Sequence, residues 1–101
     1  MVRHIVAWDF REEYSDDEQK MYGDKIKREL ENLKNLIEGI VSIEVLTKAM
    51  FSSDADILLD CIFEDEEAYK VYQSHPEHQR VATYVVRPRT CNRKCFDYYM
   101  D

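Results

Sequence analysis

Apolar and polar positions alternate along "VRHIVAWDF", so that His4, Val6, Trp8 and Phe10 share one face of a strand and Ile5 and Ala7 the other. The period then changes. Ser15 followed by Glu18 forms a capping box, and Tyr22, Ile26, Leu30, Leu33 and Ile37 recur at helical spacing, which predicts an amphipathic helix that Gly39 stops. "IVSIEVLT" and "DILLDCIF" read as two strands joined by the small and polar residues of "KAMFSSDAD", hence an antiparallel hairpin. Asp65 caps a second helix, with Ala68, Tyr72 and His75 on one face. Pro76 pushes His75 out of helical geometry and suits the first position of a new helix. The helix is therefore predicted to break there and restart as "PEHQRVATYVV", with Pro88 ending it. "CNRKCFDYY" closes the chain as a last strand.

This order, β-α-β-β-α-β with the second helix broken, predicts an α+β fold of ferredoxin-like type: a four-stranded antiparallel sheet covered by helices on one face. Two glycines and two prolines leave little punctuation and agree with a few long elements. Residues 1–101 are the size of one domain. The uncovered sheet face would carry Ile5, Ala7, Leu58, Ile62, Phe96 and Tyr98. So contiguous an apolar patch predicts a partner, and a second copy packed through the same face is the simplest one.

Charge narrows the function classes. Fourteen basic residues against 21 acidic ones give a net charge of −7, which disfavours nucleic acid and anionic membrane surfaces as partners. The densest basic stretch, "VVRPRTCNRK", accompanies no nucleic-acid motif and reads as a solvated loop and strand edge. No run of residues is long and apolar enough for a membrane span, and the N-terminus lacks a signal-peptide pattern, so a cytoplasmic protein with reduced thiols is expected. Cys91 and Cys95, four positions apart on a strand, would lie roughly 13 Å from each other, too far for a disulfide. Cys61 falls in a strand pattern as a small core residue.

Several stretches carry a family likeness: "VRHIV" at the start, "GIVSIEV" after the first helix, "FEDEEAYKVYQSHPEHQRV", and the closing "FDYY". In this order they resemble the stress-responsive α/β-barrel domain family (Dabb) over nearly the whole chain. The resemblance implies a homodimer in which two ferredoxin-like subunits join through their sheets as an α+β barrel. It implies less about activity, because most members are uncharacterised. One branch, a plant polyketide cyclase, performs an intramolecular aldol condensation. Carried over by position, the resemblance places its base on His78, its tyrosine on Tyr72, a further pocket histidine on His4 and an orienting carboxylate on Asp97.

The residues permit two readings. In the first, His78 at the third position of the restarted helix is held neutral, Asp97 fixes its tautomer, and Tyr72 donates to a carbonyl oxygen that gains negative charge. That set suits proton abstraction beside a carbonyl, as in aldol cyclisation or enolisation of a small hydrophobic or keto compound. In the second, His78 ties the last helix to the last strand and Tyr72 is a core aromatic, leaving a structural or ligand-binding barrel. Trp8, on the face of His4, would then fill the pocket. No cofactor is expected. A metal site from His75, His78 and His4 is not expected either, because H-x-x-H is a weak signal and the proline separates the two rings. His75 is expected to cap the helix break.

Overall fold

The computed structural model describes residues 1–100. Strand β1 (Val2–Phe10) leads into helix α1 (Asp16–Glu31), then the hairpin of β2 (Ile40–Leu46) and β3 (Ile57–Phe63). Helices α2 (Glu66–Ser74) and α3 (Pro76–Val81) follow, and β4 (Thr90–Tyr99) closes the chain. The sheet has the order β2-β3-β1-β4, and every neighbouring pair is antiparallel. This is the ferredoxin-like α+β arrangement that the alternating and helical periods predict.

The local signals act as expected. Ser15 Oγ accepts from the Glu18 amide while the Glu18 carboxylate accepts from the Ser15 amide, closing the capping box. Asp65 accepts from the Ala68 amide at 2.8 Å and starts α2. His75 has extended geometry (φ −65°, ψ 134°), which the ring of Pro76 imposes on the residue before it. Its Nδ1 then accepts from the Glu77 amide at 3.1 Å, so His75 caps α3.

Two helix ends differ from the expectation. The first helix leaves α geometry at Glu31 and tightens into a 3₁₀ turn, Asn32–Asn35. Leu33 and Ile37 remain buried through this turn, so the apolar spacing survives a change of helix type. Gly39 comes later, with φ +93°, a left-handed conformation that turns the chain into β2. After Val81 the last helix widens into a π-helical turn (Ala82–Val86) and then a 3₁₀ turn (Arg87–Arg89) containing Pro88.

The helices cover one sheet face and enclose the core. Val6, Trp8, Phe10, Leu59, Cys61 and Phe63 from the sheet meet Ile26, Leu30, Tyr72, Val81 and Val85 from the helical layer. Each such aliphatic or aromatic side chain contributes about 1.5–3 kcal/mol by leaving water. At the β2 edge, Glu31 accepts from the Val45 amide and Lys27 donates to the Val45 carbonyl. These contacts occupy backbone groups that would otherwise template pairing with another strand.

The opposite face carries Ile5, Ala7, Leu58, Ile62, Phe96 and Tyr98 without helical cover. Phe96 is 67% exposed. The register adds a feature that alternation alone did not predict: Arg3 and Asp60 sit on this apolar face as a two-point ion pair, with Nε to Oδ1 at 2.8 Å. All three cysteines are free thiols. Burial pushes the Cys61 thiol up to about 12 and keeps it protonated.

Candidate functional site

Strand β1, helices α2 and α3, and the turns after α3 surround an open cleft of about 460 Å³. Its apolar wall is Val6, Trp8, Leu30, Leu59, Ala82 and Val86. The cleft is not filled by Trp8, which instead forms part of its wall at 7% exposure. His4, Tyr72 and His78 reach this same cleft from one strand and two helices. Pro76 makes the meeting possible: by breaking the helix it lets Tyr72 and His78, six positions apart, meet as tilted rings with centroids 4.2 Å from each other.

Each of the three has a defined state. Tyr72 is 1% exposed, and its hydroxyl is buried with no hydrogen-bond partner among the described residues. Burial, with Cys61 and Tyr69 adding to it, raises its proton affinity far above the ordinary tyrosine range, so Tyr72 keeps its proton and can donate it in a hydrogen bond. His78 is half-buried. Its Nδ1 lies 3.3 Å from the Gln73 carbonyl, which requires the proton on Nδ1 and leaves Nε2 with the free lone pair. Burial lowers its pKa; the Gln73 bond opposes that, and the charges of Arg87 and Arg93 reinforce it. His78 is thus a neutral imidazole near neutral pH.

Asp97 corrects the sequence reading. It pairs with His4, not His78: Asp97 Oδ1 lies 2.5 Å from His4 Nδ1, across the β1–β4 register that places the two residues opposite each other. Burial lowers the pKa of His4 more than Asp97 raises it. For Asp97, burial acts upward but is outweighed by hydrogen bonds led by that from His4, so the carboxyl lies below its ordinary range. The pair is therefore a neutral imidazole donating to a carboxylate.

Sequence reasoning passed over several neighbours. Tyr69 packs on His4 with centroids 4.9 Å apart, and its hydroxyl donates to Asp97 Oδ2 at 3.1 Å. Tyr69 stands three positions before Tyr72, a helical spacing that could have placed both on one face. Cys95 donates to Asp97 Oδ1 at 3.2 Å. Together Asp97, Tyr69 and His4 border a second, smaller cavity of about 210 Å³ beside the main cleft. His4 Nδ1, Cys95 Sγ and an Asp97 oxygen lie within 4.8 Å of one another, a spacing compatible with a metal ion. As arranged, however, Nδ1 and Oδ1 already satisfy each other. His75 is committed to its cap, and the trio of His75, His78 and His4 does not converge.

The sequence model of the stress responsive A/B barrel domain family matches residues 2–100. The chain belongs to that family. Among solved structures it is similar to a dimeric protein of unknown function with a ferredoxin-like fold from Bacteroides fragilis: 27% identity, 98% of this chain and 95% of that one covered, TM-score 0.88. A Dabb family protein from Mesorhizobium loti shares 23% identity over 98% of this chain and 95% of its own, with a TM-score of 0.76. The hydroxynitrile lyase of Passiflora edulis shares 17% over 99% and 93%, with a TM-score of 0.80. At those identities the last two bear on the fold alone. No protein with a curated description matches the chain.

Proposed function

We propose that this protein is a homodimeric, cytoplasmic barrel whose cleft binds a small carbonyl compound. The observation that carries the reading is the buried hydroxyl of Tyr72, which nothing among the described residues satisfies, on a residue that lines a cleft shared with two neutral imidazoles. An orphaned buried hydroxyl costs about 1–3 kcal/mol, and a ligand carbonyl that accepts from it removes that cost on binding. The apolar wall suits an alkyl or aryl substituent. Nuclear magnetic resonance titration with simple ketones tests this: shifts at Tyr72, His78 and Ala82 that weaken in Tyr72→Phe support the reading, and shifts scattered elsewhere oppose it.

A second, catalytic reading is favoured by the state of His78. Its unprotonated Nε2 belongs to a ring in tilted contact with Tyr72, so base and carbonyl donor come from adjacent walls. Such a pair can remove a proton beside a carbonyl while Tyr72 stabilises the enolate oxygen, the step common to enolisation and aldol cyclisation. His4, oriented by Asp97, is a positioning residue or second base in this scheme.

Dimerisation is supported by the uncovered apolar face and by the dimeric state described for the Bacteroides fragilis protein. Packing copies through these faces would enclose the Arg3–Asp60 pair, where mutual neutralisation limits the cost of dehydrating it. Three free thiols fit a reducing compartment.

A further inference from the structure

The residues lining the cleft include two ionised side chains, Arg87 and Arg93, and no carboxylate, in a chain whose net charge is −7. Neither arginine has a salt-bridge partner among the described residues, whereas Arg3 and Arg80 are both paired with carboxylates. Arg87 makes one long bond, to the Thr83 hydroxyl at 3.4 Å.

Arg93 stands at the point where the β1–β4 register shifts. Ala7 pairs with Lys94 and Asp9 with Cys91, so Asn92 and Arg93 together face the single residue Trp8: a β-bulge in β4. Asn92 takes φ +53°, a left-handed conformation that asparagine tolerates better than most residues, and its amide donates to Asp9 Oδ2 at 3.0 Å. Arg93 itself follows the regular alternation of Asp97 and Cys95, which pair with His4 and Val6, and so lies on the helical side of β4 and lines the cleft. The charge of Arg93 acts downward on the pKa values of His4, Tyr72 and His78 alike, as expected of a cation near all three.

We infer that Arg93, with Arg87, forms an anion subsite at the cleft, and that the ligand is a keto acid whose carboxylate these guanidinium groups hold while its carbonyl meets Tyr72. This inference rests on the proposed carbonyl-binding cleft and narrows its ligand class. A guanidinium presents donors in a planar fork that matches a carboxylate, and both arginines are exposed at the cleft and reachable by a ligand.

Calorimetric titration with γ-oxooctanoate and its methyl ester tests the inference, because the two share the ketone and the chain and differ in charge. The parent should bind the acid at least about tenfold more tightly than the ester, a margin that shrinks as salt is added. Arg93→Gln should lose most of that preference and keep its affinity for the ester, and Arg93→Gln/Arg87→Gln should lose the rest. Equal affinities in the parent, an acid preference that survives in the double variant, or no binding of either compound would each overturn the inference. Tyr72→Phe separates the two layers. If it leaves both affinities unchanged while Arg93 still governs the acid, the anion subsite stands and the carbonyl reading falls. If ester binding depends on Tyr72 but the acid gains nothing, the cleft stands and the anion subsite falls.

Discussion

Replacing Tyr72 with Phe removes one oxygen atom from a nearly sealed site. The ring packs against Phe63 and His78 at centroid distances of 4.8 and 4.2 Å, and a phenylalanine ring can keep those contacts. The lost hydroxyl has no partner among the described residues. A tyrosine hydroxyl with a structural hydrogen bond contributes about 1 kcal/mol, so its removal normally lowers stability. Here the sign should reverse. An unsatisfied buried hydroxyl costs about 1–3 kcal/mol, and taking the lower end, Tyr72→Phe should stabilise the ligand-free protein by about 1 kcal/mol. For a domain of this size that corresponds to a rise of roughly 4–8 °C in Tm. Differential scanning calorimetry at matched protein concentration measures it, the matching being needed because an associating protein melts at a concentration-dependent temperature. A fall in Tm of comparable size would show that the hydroxyl is engaged within the protein, and would remove the main reason for assigning it to a ligand.

Other outcomes follow from the same structure. Leu58→Asp places an unpaired carboxylate on the uncovered sheet face; it should cost several kcal/mol of association and convert a dimer to monomers in light scattering. A parent protein that is already monomeric at micromolar concentration would contradict the barrel. Gly39→Ala brings a Cβ to 2.6 Å from that of Ala68 at φ +93°, and should destabilise by roughly 2–5 kcal/mol in urea titration. Burial lowers the pKa of both His4 and His78, so as pH drops below about 6.5 the unfolded chain binds protons that the folded chain refuses. Stability should therefore fall from that pH downward and be flat in this respect above it, with a further loss at more acid pH as Asp97 protonates. His78→Gln should lose less over the first interval, and identical pH profiles for parent and variant would contradict the assignment.

Most of the fold was legible because its signals are local. The Ser15 and Asp65 caps, the break at Pro76 and the alternation in β1 and β3 each act within a few residues, and together they order the elements. Cross-strand partnership was not legible in the same way. Alternation puts both His4 and Asp97 on the helical side of the sheet, but which residue faces which depends on the bulge at Asn92 and Arg93. No glycine marks that bulge; an asparagine takes its left-handed position. The family resemblance set Asp97 against His78, whereas the register sets it opposite His4; Arg93, read as a solvated edge, is exposed and also lines the cleft. Tyr72 and His78 were legible as a pair because the proline that separates their helices stands in plain sequence between them. Tyr69 was missed because the helix face was counted from Ala68 through Tyr72, which ignores the neighbouring row three positions away.

The most direct test of the site is the exchange of α-hydrogens of the methyl ester of γ-oxooctanoate in deuterated buffer, followed by nuclear magnetic resonance with parent protein and with His78→Ala. If neutral His78 takes a proton while Tyr72 holds the carbonyl, the parent should accelerate exchange over buffer and His78→Ala should lose about 10²–10⁴-fold of that rate, or all that is measurable, without losing its fold. Exchange at the buffer rate with the parent, or at the same accelerated rate in both proteins, would contradict a base at His78.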